Sequence, residues 1–316
     1  MTKRREDEGP VSGAGLDRQI DRLEARRASK EDRRSEGSLP AQKVRGTAEK
    51  LLTRTTSGVI YAVATLACLF AGPWTTTLLI VAEAWLCCSE FFRVCRLGGR
   101  MPNETLGLAA ALLFPVAARV RGLLALTLVV FVLLMGCAIW FVFNPRASIA
   151  DVAVTAFGPL YTSLAFSSVV LLRVSDPGLG GALLTLGVML SIWANDALAY
   201  FVGSSIGAHK LAPRISPHKS VEGLVGGIVG SVAIWALLGT FVVPELGVAT
   251  CMVFGLVVGL AGVIGDLFES RVKRGVGVKD SGNLLPGHGG LLDRSDSLLF
   301  GCMTAYFLLL FGGVLL

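Results

Sequence analysis

The sequence has little charge for its length, and it lacks the motifs of the common soluble nucleotide-binding and metal-binding classes. Only 16% of its 316 residues are charged, which is less than in a typical soluble domain. It has no Gly-x4-Gly-Lys-Ser/Thr loop and no Gly-x-Gly-x-x-Gly after a strand. It has three histidines and no Cys-x-x-Cys, so zinc-ligand spacings are missing as well. These absences exclude P-loop, Rossmann and zinc-finger proteins.

Apolar residues, by contrast, are abundant. They make up 53% of the chain, and the mean hydropathy is +0.66. Because one transmembrane helix needs about 20 mostly apolar residues, we predict an all-α, multi-pass integral membrane protein with about nine transmembrane helices. The predicted spans are 57–72, 75–93, 104–118, 122–143, 151–172, 180–204, 221–243, 247–265 and 298–316. The seven cysteines, all but Cys95 inside these spans, are interpreted as small apolar residues.

Charge divides the chain into three parts. Residues 1–50 form a polar, charge-mixed tail that we predict to be disordered. Residues 51–175 are predicted to hold N-terminal transmembrane helices, and 176–316 a catalytic transmembrane domain with loops 205–220 and 266–297. Lys and Arg favour the loops on the side of the tail, which places these two loops in the cytoplasm, although Arg119 and Arg121 disagree. The formal charge of +6 comes with no nucleic-acid-binding pattern, so no nucleic-acid partner is expected.

The region 266–297 concentrates the charge, with five carboxylates, five cationic side chains and a histidine. Asp266, Glu269, Ser270 and Lys273 are spaced i, i+3, i+4 and i+7, so they share one helical face. Asp293 and Asp296 are spaced i, i+3 at the start of the last span. Carboxylates hold a hard cation and basic side chains neutralise phosphate, so the pattern favours a site for a Mg²⁺–nucleotide with one or two ions. Charge satisfaction at helix ends, without a metal, is the alternative.

A second polar cluster begins at Asp196, inside an apolar span. An ionised Asp at that depth costs about 2.5–3.5 kcal/mol, so such a residue usually serves a functional site. The alternative is a buried Asp that a neighbouring polar group satisfies. The basic residues of both regions are interpreted as a phosphate-binding set, or else as residues that only determine orientation. They are Lys210, Lys219, Lys273, Arg274 and Arg294.

His288 lies in the loop Gly287-His288-Gly289-Gly290. Glycines allow the backbone to approach a phosphate closely and to adopt positive φ. We therefore interpret His288 as a phosphate contact or as a residue that positions the loop. The alternative is an ordinary polar loop residue.

Both regions resemble the signature motifs of the phosphatidate cytidylyltransferases, also called CDP-diacylglycerol synthases. The downstream motif is matched at Ser270, Lys273-Arg274, Lys279-Asp280, Gly282, Leu285-Pro286, His288-Gly289-Gly290, Asp293-Arg294 and Asp296, with a departure at Ser295. The upstream motif is matched at Asp196, Ala199-Tyr200, Lys210, Pro213, Ser216-Pro217, Lys219-Ser220 and Glu222-Gly223, with departures at Ala197 and Val221. None of the departures removes a charge that a metal or a phosphate would need.

The resemblance implies an enzyme that makes CDP-diacylglycerol and pyrophosphate from CTP and phosphatidate. It implies catalytic roles for Asp266, Asp293, Lys273 and Arg294, with Asp266 and Asp293 holding Mg²⁺; a monovalent cation is a further candidate cofactor. The implied substrate-binding residues are Asp196, Tyr200, Lys210, Ser216, Lys219, Ser270, Arg274, Lys279, Asp280, His288, Gly289, Gly290 and Asp296. It also suggests a homodimer in the cell (inner) membrane.

Two other kinds of function remain open. A related CTP-dependent enzyme could use another lipid acceptor, as a prenol kinase or an archaeol-type cytidylyltransferase does. An ion-coupled transporter could use Asp196 as an intramembrane ion site, but this leaves the Gly-His-Gly-Gly loop and its neighbouring bases unexplained. The Asp-Gly-x-x-Ala-Arg pattern of CDP-alcohol phosphotransferases is absent, which favours a producer of the CDP-lipid over a consumer.

Overall fold

Long apolar segments fold as helices in a membrane because a helix satisfies its backbone hydrogen bonds within one segment. The computed structural model describes Thr56, residues 58–282 and residues 289–315, which are mostly helical. The helices are α1 (Gly58–Ala71), α2 (Pro73–Leu97), α3 (Glu104–Phe143), α4 (Ile149–Val174), α5 (Leu179–Ile206), α6 (Val221–Phe241), α7 (Val248–Gly275) and α8 (Leu292–Phe311). The predicted disordered tail, 1–50, lies outside the described residues.

Six of these helices, α3 to α8, are long and apolar enough to cross a membrane. The chain is therefore a helical membrane protein, as predicted, whereas the count of nine spans is not confirmed. Helix α1 is apolar but short, and α2 carries acidic and basic residues along its length. The predicted spans 104–118 and 122–143 both fall in α3, which is broken at Arg121 and Gly122, where Gly122 has a φ of 58°.

Local sequence explains several helix ends. Pro73 occupies the first turn of α2, where its missing N–H is not needed. Ser148 and Asp151 form a capping box at the start of α4. The Ser220 hydroxyl accepts a hydrogen bond of 3.1 Å from the Gly223 N–H and so caps α6. These caps fix where the loops end and the membrane helices begin.

A short β-hairpin joins α5 to α6. Its strands, β1 (Lys210–Ala212) and β2 (Ser216–Ser220), pair antiparallel, with Lys210 opposite Ser220 and Ala212 opposite Ser216. It is the only sheet among the residues that the structure describes. Strands of three and five residues are too short to show a clear alternation of polar and apolar residues, so the sequence does not predict them. Outside this hairpin the predicted all-α class holds.

Polar contacts between apolar helices hold the C-terminal bundle together. Trp235 Nε1 on α6 donates to Ser191 Oγ on α5 over 3.1 Å, and Ser231 Oγ donates to the Gly255 carbonyl on α7 over 2.8 Å. Such hydrogen bonds complement close packing of small residues, because apolar burial does not drive helix association within lipid. The seven cysteines are free, and all but Cys68 are buried, as expected for small apolar residues.

An aromatic cluster connects the N-terminal helices with α7 and α8. It consists of Phe91, Phe157, Tyr161, Phe268 and Phe300, whose contacting rings have centroids 5.0 to 6.1 Å apart. A π-helical turn at Leu160–Leu164 carries the tyrosine. Aromatic pairs at such distances contribute beyond their buried area. The cluster thus supports the two helices that carry the acidic residues of the downstream region.

Candidate active site

A cavity of about 1040 Å³ brings together residues of α1, α5, the hairpin, α6, α7, the segment after α7, and α8. Acidic and basic side chains border it in similar numbers. The predicted site residues that line it are Asp196, Tyr200, Lys210, Ser216, Lys219, Asp266, Ser270, Lys273, Arg274, Lys279, Asp280, Asp293, Arg294 and Asp296. The upstream and downstream motifs, which are far apart in the sequence, therefore border a common space.

Helix α7 presents one polar face to this cavity, as the residue spacing predicts. Asp266, Ser270 and Lys273 border the cavity, and Ser270 Oγ donates to Asp266 Oδ1 over 3.3 Å. Glu269 lies beneath them, only 1% exposed, and forms an ion pair with Lys273. Lys273 thus lies between Glu269 and Asp293, and its charge offsets two buried carboxylates.

Asp293 is the most highly connected acid of the site. Its Oδ1 lies 2.5 Å from Lys273 Nζ. Its Oδ2 accepts hydrogen bonds from the Ser281 N–H at 2.9 Å, the Ser281 hydroxyl at 3.0 Å and the Gly290 N–H at 2.8 Å. The side chain is 8% exposed. Asp293 therefore joins α7, the segment after α7 and the start of α8.

Asp266 is more accessible. Its Oδ2 lies 2.6 Å from Lys219 Nζ, and both side chains are about a quarter exposed, at 26% and 25%. This pair joins β2 of the hairpin to α7 across the cavity. A charge pair that is this exposed contributes little to folding stability. Both groups are therefore accessible from the cavity.

Asp196 and Asp296 add two carboxylates to the cavity lining. Asp196 is exposed to this space, which places a carboxylate of the apolar helix α5 among the polar side chains of the lining. Its Oδ1 lies 3.4 Å from Ser297 Oγ of α8. Asp296 is 9% exposed and accepts a hydrogen bond of 2.8 Å from the Ser297 N–H. Ser297 thus contacts both acids, Asp296 through its backbone N–H and Asp196 through its hydroxyl.

Glu222 positions the hairpin. Its carboxylate accepts hydrogen bonds from the Ala208 N–H at 3.1 Å and the His209 N–H at 3.2 Å. It also lies 2.6 Å from Nδ1 of the His209 ring. Because the hairpin carries Lys210 and Lys219, this anchor determines where two cavity-lining cations lie. Glu222 belongs to the upstream motif, but the sequence gives it no specific role.

The glycine loop is described only in part. His288, Leu285 and Pro286 lie outside the described residues. Gly289 has a φ of 85°, a conformation that suits glycine. A Cβ at this position would lie 3.0 Å from Asp293 Oδ2. Gly289 and Gly290 are not among the cavity-lining residues, so the structure connects them with the site through Asp293.

Sequence reasoning missed three residues of the surrounding network. Glu269 lies on the predicted polar face of α7, but its carboxylate was given no role; it pairs with Lys273. Ser281 contacts Asp293. Glu90 of α2 accepts a hydrogen bond from Ser281 Oγ at 3.0 Å. Glu90 had a usable signal, because ionisable residues inside an apolar span are functional candidates by default. The same argument identifies Asp196. Ser281 gave no such signal, since serine is common in loops.

The donor set suits a magnesium–nucleotide better than a metal held by protein ligands alone. Among the residues that the structure describes, no group of three or more His, Cys, Asp or Glu side chains could hold a metal ion. Mg²⁺ commonly takes one or two carboxylates and completes its shell with water and substrate phosphates. Asp266 is accessible and fits that requirement once Lys219, which now contacts its Oδ2, moves away. Asp293 fits it only if one of its present partners gives way, and its role as a metal ligand stays a prediction.

Comparison with known proteins shows which sequences this chain is similar to. The sequence model described as "Cytidylyltransferase family" matches residues 52–311. A phosphatidate cytidylyltransferase of Synechocystis sp. is 32% identical over 281 residues, covering 80% of this chain and 94% of that protein. Phosphatidate cytidylyltransferases of Thermotoga maritima and Bacillus subtilis are 40% and 49% identical over 169 and 121 residues.

The shorter two alignments cover 52% and 37% of this chain, and span 61% and 44% of the Thermotoga and Bacillus proteins, which is less than two thirds of either relative. The family model and the Synechocystis relative, by contrast, extend over most of the chain, beyond the two motif regions. The resemblance predicted from the motifs is therefore confirmed: the chain belongs to the cytidylyltransferase family.

Proposed function

We propose that this protein is a membrane-embedded CTP:phosphatidate cytidylyltransferase. The observation that carries the proposal is the cavity in which five acidic side chains, Asp196, Asp266, Asp280, Asp293 and Asp296, face six basic ones. The bases are Lys210, Lys219, Lys273, Arg274, Lys279 and Arg294. Membership of the family and relatives named phosphatidate cytidylyltransferase support the same reaction.

In the proposed reaction, a phosphate oxygen of phosphatidate attacks the α-phosphorus of CTP. A new P–O bond forms, the bond from the α-phosphorus to the bridging oxygen breaks, and pyrophosphate leaves with that oxygen. The attacking oxygen is already anionic, so no strong general base is needed. The main obstacle is repulsion between two anions, which positively charged groups around the cavity reduce.

The basic residues divide into two groups by their surroundings. Lys273 is buried and bound to two carboxylates, so we assign it to holding Asp293 and to the local charge balance. Lys219 is more accessible, and we propose that it moves from Asp266 to a phosphate when the nucleotide binds. Exposed Arg294 lies in the first turn of α8, next to Asp293, and would contact the same triphosphate. When bound, one or two Mg²⁺ ions would neutralise the phosphates, with Asp266 and Asp293 as proposed ligands.

The lipid substrate must reach the cavity from the bilayer. Tyr200 borders the cavity and is 79% exposed, and the other lining residues include Gly58, Tyr61 and Ala62 of the apolar helix α1. We propose that phosphatidate enters beside these residues, with its headgroup toward Asp196.

The catalytic loops would lie on the cytoplasmic side of the cell membrane, where CTP is available. The homodimer and the monovalent cation suggested by the resemblance stay proposals.

The decisive experiment is to incubate purified protein with labelled CTP, phosphatidate and Mg²⁺ and to identify the lipid product. We expect CDP-diacylglycerol together with pyrophosphate, and loss of turnover when a chelator removes divalent cations. Prenols and archaeol-type lipids serve as competing acceptors. A product formed only with one of those lipids would replace phosphatidate as substrate. Ion uptake into sealed liposomes without nucleotide turnover would contradict the enzyme assignment.

A further inference from the structure

Glu90 is a buried carboxylate outside both motif regions. It lies in α2 and is 7% exposed. Its Oε1 accepts a hydrogen bond of 3.1 Å from the Leu291 N–H, and its Oε2 accepts one of 2.8 Å from the Leu292 N–H. The Ser281 hydroxyl lies 3.0 Å from the same Oε2. Glu90 thus connects an N-terminal helix with partners that follow it by 191 to 202 residues.

The two backbone contacts lie at the beginning of α8. The first N–H groups of a helix have no partner within the helix and need an acceptor from elsewhere. Leu291, at the N-cap position, provides no side-chain cap. Glu90 supplies the acceptor instead, and its negative charge is favourable near a helix N-terminus. The start of α8 is therefore held by a residue of α2.

The third contact links Glu90 to the site. Ser281 Oγ is 3.0 Å from Glu90 Oε2 and 3.0 Å from Asp293 Oδ2. Because a hydroxyl has a single hydrogen, Ser281 donates to one carboxylate at a time. Gly282 and Gly290 leave room for the Glu90 carboxylate. An added Cβ would lie 2.4 Å from Glu90 Oε1 at Gly282 and 2.5 Å from Glu90 Oε2 at Gly290. The positions of Glu90 and Asp293 are thus coupled through Ser281 and the first turn of α8.

We propose that Glu90 is a positioning residue, which fixes Ser281 and the start of α8 and thereby sets how Asp293 and Arg294 face the cavity. It does not border the cavity itself and acts through these neighbours. The kinetic part of this inference rests on the proposed function. The structural part does not, because the contacts of Glu90 involve no substrate.

The test compares Glu90→Gln with a matched control, Glu83→Gln. Glutamine keeps the length of the side chain, but its amide nitrogen is a donor that would face the donors now bound by Glu90. Glu83 lies about two helical turns earlier on α2, is 5% exposed, and has Tyr61 of α1 as its hydrogen-bonding neighbour. The same substitution there reproduces the loss of a buried carboxylate from the same helix without disturbing Ser281 or α8.

The first readout is hydrogen exchange, which requires no turnover. In Glu90→Gln we expect faster exchange at the amides of Ser281, Leu291 and Leu292, and in Glu83→Gln no change at these amides. Unchanged exchange in Glu90→Gln would overturn the proposal. If the wild-type protein makes no CDP-lipid, the proposed function fails, and this readout still decides whether Glu90 holds the segment.

The second readout separates positioning from a merely structural role. We expect Glu90→Gln to lower kcat/KM for CTP by about 100-fold, the scale of a small misplacement of reacting groups, with KM for phosphatidate within about threefold of wild type. Glu90→Asp should recover part of the activity because it restores the charge. Equal kinetic effects of Glu90→Gln and Glu83→Gln, or faster exchange with unchanged kinetics, would overturn the positioning role.

A milder variant covers the case in which Glu90→Gln does not fold. Ser281→Ala removes only the bridging hydroxyl and leaves both carboxylates in place. We expect it to fold and to lower kcat/KM for CTP by about tenfold, in keeping with the loss of one hydrogen bond to a charged group. Wild-type kinetics in Ser281→Ala and Glu90→Asp together would contradict the proposal.

Discussion

At the scale of single residues, the two acids assigned to the metal have different surroundings. Asp293 is 8% exposed and is held by Lys273, Ser281 and Gly290. Asp266 is about a quarter exposed and has an accessible cation, Lys219, as partner. One acid is therefore part of the framework, whereas the other is available to a ligand. Substitution should separate these two roles.

We predict that Asp266→Asn and Asp293→Asn both abolish turnover, because an amide lacks the charge that a hard cation requires. Their stabilities should differ. Breaking a buried, hydrogen-bonded pair at Asp293 should cost about 3–5 kcal/mol of unfolding free energy, whereas the accessible Asp266 pair should cost about 1 kcal/mol or less. Thermal unfolding in detergent measures this difference. Near-normal turnover in either variant would remove that residue from the metal site, and equal stabilities would contradict the framework role of Asp293.

The basic residues test whether the cavity binds a triphosphate. We predict that Lys219→Ala or Arg294→Ala lowers kcat/KM for CTP by an amount equivalent to about 2–4 kcal/mol, with a smaller effect on KM for the lipid. Arg146→Ala is the control, because Arg146 is an exposed base between α3 and α4 outside the cavity lining. If orientation were the only role of these bases, all three variants would have wild-type CTP kinetics, since that bias is summed over many loops.

Residue-scale prediction from sequence succeeded where chemistry is local. The helical spacing predicted that Asp266, Ser270 and Lys273 share one face of α7, and all three border the cavity, because residues at i, i+4 and i+7 lie on one side of a helix. It failed for Glu90, since no spacing rule reports a contact made across 191 residues. Its position inside the predicted span 75–93 was nevertheless visible in the sequence and would have justified the same attention as Asp196.

At the scale of elements, the contact between α7 and α8 determines whether the acids of both helices face one space. The two helices approach closely at Gly265, where an added Cβ would lie 2.5 Å from the Asp296 carbonyl oxygen and 3.2 Å from the Phe300 ring. The Asp296 carbonyl belongs to the backbone of α8 and cannot move aside as the end of a flexible side chain can. Glycine at this position is therefore a packing requirement, although it weakens the helix itself.

We predict that Gly265→Ala destabilises the protein and lowers turnover, although helix propensity alone would favour alanine by about 1 kcal/mol. Gly275→Ala in the same helix is the control, because a Cβ there meets nothing within 4 Å. Thermal unfolding and CDP-lipid synthesis of the two variants measure the effect. A Gly265→Ala protein as stable and active as wild type would show that α7 and α8 can separate without consequence.

Element boundaries show where hydropathy stops being informative. The predicted spans 104–118 and 122–143 correspond to the two halves of α3, which are separated by the non-helical backbone at Arg121 and Gly122. Helix α2 carries the buried carboxylates Glu83 and Glu90, which reduce its apolar character. Hydrogen bonds compensate part of their burial, to Tyr61 for Glu83 and to the Leu291 and Leu292 N–H groups for Glu90. The hairpin between α5 and α6 depends on hydrogen bonds to Glu222 and on strand pairing. A five-residue strand is too short for its sequence to predict that pairing.

At the scale of the whole molecule, the cavity constrains the topology. The hairpin precedes α6, and the segment 276–282 follows α7, yet both contribute lining residues, among them Lys219 and Lys279. Two helices that are long and apolar enough to cross the membrane, α6 and α7, separate these segments. If both cross, the two segments lie on the same side. The short turn Pro244–Leu246, between α6 and α7, must then lie on the opposite side. The distribution of basic residues predicts that the side holding the cavity is the cytoplasmic one.

We predict that a cysteine introduced at Arg214, in the exposed turn of the hairpin, reacts with a membrane-impermeant thiol reagent only from the cytoplasmic side. A cysteine at exposed Glu245 should react only from the other side, because the 21-residue helix α6 lies between the two positions and is long enough to cross. Intact cells and inverted vesicles provide the two sides, and the wild-type protein, whose cysteines are buried except for Cys68, gives the background. Labelling of both positions from one side would mean that α6 does not cross the membrane. If position 245 reacts from the cytoplasmic side and position 214 from the other side, the helix arrangement stands but the cavity lies outside the cytoplasm. The proposed CTP reaction would have no substrate there.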